Sequence, residues 1–255
     1  MIDFLSQLDT QIFLTFNGIH SDFFDSFMKL FTGRFIWIPM YVALAAVILH
    51  VCRWQKGVVY LLAIGAAIAL TDQTCASLIR PAVERLRPSN PDNPLSELVY
   101  IVGGYRGGSY GFPSCHSANS FALATFICLL FPRRRMVLFI LAWALLNSYT
   151  RLYLGVHYPG DLLVGAAVGS AFGALCYRAA LAVAPMSKAE RLARTHRPLV
   201  SIPYIGADRA SVAQRGQGFT PPAMSLTVKV FTIPSSMTPF AVCAATLLYI
   251  IIRSL

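Results

Sequence analysis

Three short polar clusters interrupt an otherwise apolar sequence of 255 residues. They are Arg80-Pro81-Ala82-Val83-Glu84-Arg85-Leu86-Arg87-Pro88, Pro113-Ser114-Cys115-His116-Ser117, and Thr150-Arg151 followed by His157-Tyr158-Pro159-Gly160-Asp161. A guanidinium group is planar and donates two parallel hydrogen bonds, which suits it to a phosphate. A histidine beside a carboxylate can act as a nucleophile or transfer a proton. Together these residue types predict a site that binds a phosphate and does chemistry on it.

His157 and Asp161 are the most informative pair. A spacing of four residues can place both side chains on one helix face, and a carboxylate there can fix the tautomer of the imidazole. Pro159 is favoured in the first turn of a helix, so the pair is expected near a helix N-terminus, where a phosphate is stabilised. The alternative is an acidic residue in a first helical turn beside an unrelated histidine.

The other polar residues also have ordinary structural interpretations. Ser114 can cap the helix that begins the next apolar stretch, and His116 can be a solvated histidine at the membrane surface. Arg80 and Arg87 are seven residues apart, which predicts one shared helical face, although the proline after Arg80 disfavours helical geometry there. An isolated arginine at a membrane surface can instead bind lipid headgroups, and only that role is assigned to Arg85.

The elements that must position these clusters are membrane helices. The chain is 56% hydrophobic and 13% charged, which is about half the charge of a typical soluble domain. This excludes an ordinary soluble enzyme and a disordered chain. A spanning helix needs about 20 mostly apolar residues, and the apolar stretches are 35–52, 57–79, 117–132, 136–150, 162–177 and 238–252. The sequence therefore predicts an all-α, polytopic membrane helix bundle with five or six transmembrane helices.

The basic residues predict the orientation of this bundle. The formal net charge is +10, and thirteen of the basic residues fall on one side of the alternating spans: Arg53, Lys56, Arg133, Arg134, Arg135, Arg178, Lys188, Arg191, Arg194, Arg197, Arg209, Arg215 and Lys229. Lys and Arg accumulate in cytoplasmic loops. All three polar clusters are therefore expected to face the periplasm or exterior of a bacterial-type inner membrane. The basic surplus is a topology signal, and no nucleic-acid partner is predicted.

The segments outside the core, which spans 35–184, are predicted to differ from it. Residues 1–34 carry apolar side chains at helical spacing between acids and amides, which predicts an amphipathic interfacial helix, with a first span as the alternative. Residues 185–237 are rich in Gly, Ser, Gln and basic residues and are predicted to form a cytoplasmic linker. Residues 238–255 are predicted to form a C-terminal transmembrane helix.

Several residues within the spans have structural interpretations. Gly165, Gly169 and Gly173 recur every four residues, which permits close helix packing. Asp72 is expected to pair within the bundle or to line a polar path. Most cysteines fall in apolar stretches and are read as small buried hydrophobes. No Cys/His spacing typical of a metal site occurs, so no metal is predicted.

Taken together, the three clusters resemble the type 2 phosphatidic acid phosphatase family of the acid phosphatase–haloperoxidase superfamily. The pattern of that family is Lys-x6-Arg-Pro, Pro-Ser-Gly-His and Ser-Arg-x5-His-x3-Asp, and this sequence keeps its order and internal spacing over residues 35–184. Three positions depart from it: Arg80 replaces Lys, Cys115 replaces Gly, and Thr150 replaces Ser. Arg80 keeps the charge and Thr150 keeps the hydroxyl, whereas the thiol of Cys115 could narrow the site or make it oxidisable.

The resemblance implies metal-independent phosphoester or pyrophosphate hydrolysis through a phosphohistidine, without a cofactor. By this resemblance His157 would be the nucleophile, Asp161 would orient it, and His116 would be the general acid. The phosphoryl oxygens would be held by Arg80, Arg87, Ser114, Cys115, Thr150 and Arg151. Two histidines that work in opposite protonation states predict a bell-shaped pH profile.

A site at the mouth of a helix bundle can take a lipid phosphate while the lipid tails stay in the bilayer. The expected function is therefore a lipid phosphatase, with membrane lipid as the partner. Undecaprenyl pyrophosphate is slightly favoured as substrate over phosphatidylglycerol phosphate, phosphatidic acid and lipid A phosphate. The alternatives are a phosphotransferase that passes the phosphoryl group from the same histidine to another lipid, and a non-catalytic lipid-phosphate-binding membrane protein.

Overall fold

The computed structural model describes residues 2–33, 35–195 and 238–254, and its regular elements there are helices. They are α1 (Ile2–Asn17), α2 (Asp22–Phe31), α3 (Ile38–Val51), α4 (Trp54–Gln73), α5 (Arg80–Val83), α6 (Cys115–Leu130), α7 (Arg134–Tyr153), α8 (Pro159–Val183), α9 (Lys188–Thr195) and α10 (Thr238–Ser254). A π-helical turn, Thr74–Ile79, joins α4 to α5, and two 3₁₀ turns, Pro94–Leu98 and Val102–Gly104, follow α5. The all-α prediction is confirmed.

The predicted spans correspond to apolar helices. Three helical stretches are long and apolar enough to cross a membrane: Trp54–Val83, Arg134–Tyr153 and Pro159–Val183. Three shorter apolar helices match the remaining predicted spans: Ile38–Val51, Cys115–Leu130 and Val242–Ser254. The number of helices that cross the membrane stays a prediction.

Helix α6 lies at the centre of the bundle, with α4, α7 and α8 packed against it. The glycine stripe of α8 faces the backbone of α6, where a Cβ at Gly165 would come 2.5 Å from the carbonyl oxygen of Ser114. A Cβ at Gly169 would come even closer to the carbonyl oxygen of Ala118, and one at Gly173 would come 2.5 Å from that of Ala122. This close approach lets the backbone N–H of Ser114 donate to the carbonyl of Asp161 at 3.0 Å. The stripe therefore joins the starts of two helices that carry site residues.

The N-terminal segment forms two helices rather than the single one predicted. Helix α1 is amphipathic as expected, but Phe13 points inward and packs on the ring of Tyr158, with the ring centroids 5.4 Å apart. The chain turns after Asn17, whose side-chain amide donates to the carbonyls of Tyr100 and Tyr153, both at 3.0 Å. Five other apolar side chains of α1 are exposed, namely Phe4, Leu5, Leu8, Ile12 and Phe16. That exposed face suits a lipid surface.

The first part of the predicted linker is also helical. Helix α9 is fixed by Glu190, which accepts hydrogen bonds from Lys56 at 2.8 Å and from the backbone N–H of Ser187 at 2.6 Å. Residues 196–237 of the predicted linker lie outside the described residues. The C-terminal helix α10 packs on α2 and α3.

Candidate active site

The three polar clusters meet at one end of a cavity of about 1030 Å³ that continues between α3, α4, α6 and α7. Six predicted site residues line it: Arg80, Arg87, Cys115, His116, Arg151 and His157. The three others, Ser114, Thr150 and Asp161, are fully buried behind this surface. The alternating helices thus bring the clusters together, as their positions at span ends predict.

Arg80 keeps helical geometry although a proline follows it, contrary to the sequence-based expectation. Its φ and ψ are −61° and −46°, and its backbone N–H bonds to the carbonyl of Cys75, five residues earlier. A proline ring clashes with the preceding turn of an α-helix, and the wider π turn provides the missing space. The Arg80 guanidinium then donates to the carbonyl of Pro113 at 3.1 Å and to the sulfur of Cys115 at 3.0 Å.

The prediction that Arg80 and Arg87 share a helical face is wrong. The helix ends at Val83 because Glu84 adopts the left-handed conformation, with φ of 50°, which terminates a helix. Arg87 lies in the following extended segment, where its backbone N–H donates to the carbonyl of Ser109 at 3.1 Å. It reaches the site from this loop and not from a helix shared with Arg80.

His157 is buried and held by a cation and a carboxylate. Its Nε2 lies 2.8 Å from Nη1 of Arg87, and its Nδ1 lies 3.4 Å from Oδ2 of Asp161. A guanidinium only donates, so the lone pair is on Nε2 and the proton is on Nδ1. Burial, and then the charges of Arg87, Arg151 and Arg80, lower the pKa of His157 well below its ordinary value. The ring is therefore neutral near pH 7.

Asp161 is clamped by residues that the motif does not include. Its Oδ2 accepts from the backbone N–H of Tyr158 at 3.0 Å, and its Oδ1 accepts from Arg85 at 2.9 Å. The same guanidinium donates to Asp9 of α1 at 2.7 Å and stacks 3.9 Å above the Tyr158 ring. Asp9 also accepts from the backbone N–H of Gly160 at 2.7 Å. The assignment of Arg85 to lipid headgroups is therefore wrong, since its guanidinium forms ion pairs with two carboxylates.

His116 lies in the first turn of α6 and contacts two neutral side chains. Its Nε2 lies 3.1 Å from Oδ1 of Asn147 and 3.3 Å from the hydroxyl of Thr32. The Asn147 amide donates to Ser120 at 2.8 Å, and Ser120 in turn donates to the carbonyl of His116 at 2.8 Å. This chain of donors turns the Asn147 oxygen toward the ring, so Nε2 of His116 carries the proton.

Three arginine side chains converge with unused donors. The buried Nε atoms of Arg80, Arg87 and Arg151 make no hydrogen bond to any of the described residues. Arg151 is otherwise held by the hydroxyls of Thr32 at 3.1 Å and Tyr105 at 3.2 Å. Burial and the charges of the two other arginines lower the pKa of Arg87 to about 10. Buried donors without partners are rare, and these three suit an anion with several oxygens.

The remaining motif residues have local structural roles. Ser114 caps α6 by accepting from the backbone N–H of Ser117 at 3.4 Å. Thr150 donates to the carbonyl of Asn147 in its own helix at 2.6 Å, so its hydroxyl hydrogen is used there and not in the cavity. Asp72 pairs with Asn119 and also lines the cavity. Within the described ranges no three His, Cys, Asp or Glu side chains form a set that could hold a metal ion.

Sequence analysis did not assign a role in the site to Asp9, Thr32, Arg85 or Asn147. Arg85 and Asn147 lie within a few residues of motif positions, and only their unexplained polarity in apolar surroundings could have indicated a role. Asp9 and Thr32 belong to the N-terminal segment, 76 and 84 residues from the partners Arg85 and His116. No local spacing connects such distant positions.

Comparison with known proteins agrees with this geometry. The sequence model of the PAP2 superfamily matches residues 56–185. The lipid A 4'-phosphatase of Bacteroides thetaiotaomicron is 56% identical over 177 residues, which are 69% of this chain and 79% of that protein. The lipid A 4'-phosphatase of Porphyromonas gingivalis is 30% identical over 178 residues, 69% and 75% of the two chains. The crystal structure of a transmembrane PAP2-type phosphatidylglycerolphosphate phosphatase from Bacillus subtilis has the same fold, with a TM-score of 0.53 at 22% identity over 72% of this chain and 89% of that one.

Proposed function

Because this chain belongs to the PAP2 superfamily, we propose that it removes the 4'-phosphate of lipid A through a phosphohistidine on His157. The coarser activity, hydrolysis of a lipid phosphate by an integral membrane enzyme, follows from the relatives. The choice of lipid A replaces the slight preference for undecaprenyl pyrophosphate that the sequence alone gave. It is supported by two relatives that are lipid A 4'-phosphatases, one of them 56% identical.

The observation that carries the proposal is that three arginines, whose Nε donors have no partner among the described residues, line one cavity together with His157. A phosphoryl group has three oxygens that can accept from these donors while its phosphorus faces the imidazole. Guanidinium groups already in place stabilise the charge that develops on those oxygens during the reaction. The nucleophile, the acid and the phosphate donors thus share one end of the cavity.

The reaction starts with attack on phosphorus by the lone pair on Nε2 of His157. The bond between phosphorus and the lipid oxygen breaks, and that oxygen takes the proton from Nε2 of His116, which acts as an imidazolium and becomes a neutral ring. Asp161 keeps its hydrogen bond to Nδ1–H of His157 and stabilises the positive ring. In the second step His116 takes a proton from water, the water oxygen attacks phosphorus, and the nitrogen–phosphorus bond breaks to release inorganic phosphate.

Two side chains from the N-terminal segment act as positioning residues. Asp9 holds Arg85, and Arg85 holds Asp161, so Asp9 acts on His157 through two intermediate groups. Thr32 contacts both His116 and Arg151. The segment therefore supports both the nucleophile and the acid.

The enzyme is placed in a bacterial-type inner membrane with its site at the periplasmic or exterior face. The supporting feature is the long helical stretch Trp54–Val83, which follows Arg53 of a basic loop and carries Arg80 near its other end. The positive-inside rule assigns the basic loop to the cytoplasm.

The decisive experiment measures phosphate release from purified lipid A by the detergent-solubilised protein in the presence of EDTA. Mass spectrometry locates the lost phosphate, and undecaprenyl pyrophosphate and phosphatidylglycerol phosphate are assayed in parallel. We expect metal-independent release from the 4' position. Activity only after magnesium is added would exclude the metal-independent mechanism, and phosphate found on a second lipid would identify a phosphotransferase. Binding without turnover of any of these lipids would identify a non-catalytic binder.

A further inference from the structure

Away from the arginines, the cavity contains a polar pair that the proposed chemistry does not use. Asp72 on α4 and Asn119 on α6 both line the cavity, and the Asn119 amide donates to Oδ1 of Asp72 at 3.2 Å. A carboxylate accepts and does not donate, so it fixes the amide with its nitrogen toward Asp72 and its oxygen turned away. That oxygen is buried, and none of the described residues donates to it.

Apolar residues surround this pair, so burying its polar groups there costs free energy unless they are hydrogen-bonded. Asp72 lies inside the longest apolar helical stretch, and the same part of the cavity is lined by Ile64, Ile68 and Leu123. An ionisable residue within a membrane helix usually serves a function, and a buried acceptor without a donor costs about 1–3 kcal/mol. The pair therefore has capacity for hydrogen bonds that a bound molecule can supply.

We propose that Asp72 and Asn119 form a subsite that accepts hydrogen bonds from hydroxyl or amide N–H groups of the lipid substrate. The inference rests on the proposed function, because the phosphate bound by the arginines anchors the substrate. Asn119 follows Cys115, whose sulfur accepts from Arg80, by four residues of α6, which is about 6 Å at 1.5 Å per residue. A donor several bonds from the phosphate, and not the phosphate itself, meets the pair.

The chemistry of this subsite separates classes of phospholipid. Both members of the pair present acceptor oxygens, so they match amide-linked and hydroxylated lipids, including acylated amino sugars. The diacylglycerol part of phosphatidic acid has ester oxygens, which only accept, and a polyprenyl chain has no polar group. Either of these would leave the Asn119 oxygen unpaired, and sites built to bind a hydroxyl or N–H discriminate strongly against analogues that lack it.

The test compares two lipids that differ in these donors. Ceramide 1-phosphate has an amide N–H and a hydroxyl near its phosphate, whereas phosphatidic acid of matched chain length has two esters. In mixed micelles we expect the wild-type kcat/KM to favour ceramide 1-phosphate by about 10-fold or more. Asp72→Leu and Asn119→Leu are expected to lower this ratio by about 10-fold, and Asp72→Asn, which keeps one acceptor oxygen, by less.

Ser77→Leu is the matched control. Ser77 is exposed, follows Asp72 on the same helical stretch, and donates to Gln73 at 3.0 Å; its substitution is expected to leave the ratio unchanged. Because both lipids are assayed with one preparation, a partial loss of folded protein does not alter the ratio, and the nearly isosteric Asp72→Asn provides a variant of unchanged size.

The outcomes separate the subsite from the proposed substrate. A wild-type ratio near one, or an equal ratio in wild type and both Leu variants, overturns the subsite and leaves the lipid phosphatase in place. A donor preference that depends on Asp72 and Asn119, without phosphate release from lipid A, supports the subsite and overturns lipid A as the substrate.

Discussion

The two histidines of the site lie in surroundings of opposite character. His157 is 2% exposed and lies between the guanidinium of Arg87 and the carboxylate of Asp161. His116 is only half-buried and touches the neutral oxygens of Asn147 and Thr32. A donor faces Nε2 of His157 and an acceptor faces Nε2 of His116. The neighbours therefore leave Nε2 of His157 without a proton and Nε2 of His116 with one.

The same contrast extends to the N-terminal segment, which lies outside the matched residues 56–185. On the nucleophile side it supplies Asp9, a charged group that acts through Arg85. On the acid side it supplies Thr32, a neutral hydroxyl. Charged networks are more sensitive to the loss of one member than neutral contacts are, so the two sides should respond differently to substitution.

Removing the nucleophile should have the largest effect. His157→Ala is expected to lower kcat by roughly 10⁴- to 10⁶-fold, because the covalent route is lost. Rapid acid-free quenching with a radiolabelled lipid phosphate should trap a labelled protein in the wild type and not in the variant. Equal labelling of the two proteins would exclude His157 as the nucleophile.

Removing the acid should have a smaller effect that depends on the leaving group. His116→Ala is expected to lower kcat for a lipid phosphate by about 10²- to 10⁴-fold. With p-nitrophenyl phosphate the loss in the first step should be much smaller, because p-nitrophenolate leaves without a proton. The ratio of phosphoenzyme formation rates for the two substrates measures this, and the same loss with both would contradict the role of His116.

Arg87→Gln tests whether Arg87 sets the pKa of His157, and the readout is the pH profile of kcat/KM. Burial and the positive charge of Arg87 lower the pKa of His157, so the acid limb of kcat/KM should lie well below pH 6.5 in the wild type. Removing the charge raises that pKa, and the acid limb should move to higher pH while overall kcat/KM falls by about 10²-fold through the lost phosphate contact. The measurement is the full pH profile of both proteins. An acid limb that stays in place would show that Arg87 does not set the protonation of His157.

Asp9→Asn tests the charged support of the nucleophile. One hydrogen bond to a charged group is weakened at Arg85, and kcat should fall by about 10-fold with little change in KM. Asp3→Asn is the matched control, since Asp3 is an exposed acid of the same helix. A similar loss in both variants would indicate a general effect of the helix charge.

Thr32→Val tests the neutral support of the acid and should have the smallest effect. We expect a fall in kcat of about 3-fold for a lipid phosphate, with p-nitrophenyl phosphate less affected. Thr32→Ser keeps the hydroxyl and should restore the wild-type value. If Thr32→Val lowers kcat more than Asp9→Asn does, the contrast between charged and neutral support does not hold.

The features that the sequence revealed are local ones. Membrane helices follow from runs of apolar residues, and the spacing of His157 and Asp161 predicts their meeting because one helix turn separates them. His157 in fact precedes α8 and meets Asp161 across the start of that helix. The expectation of a shared helical face failed for Arg80 and Arg87 as well, since a left-handed residue between them ends the helix. Sequence reasoning also assigned Arg85 to lipid because its two carboxylate partners are 76 residues away on either side in sequence.

By itself, the sequence determined the helical membrane class and the residue types that gather at one end of the bundle. Those properties depend on composition and on neighbours within a few turns. Only the tertiary structure decided which nitrogen of each histidine carries a proton, which arginine donors make no hydrogen bond to the described residues, and that Asn119, which lines the cavity, has a buried acceptor without a donor among them. These depend on burial and on contacts between α1, α2, α4, α6 and the loop before α8, which no short-range pattern encodes. The basic residues of the sequence predict which loops are cytoplasmic. The tertiary fold determines which few arginines lie together at the cavity.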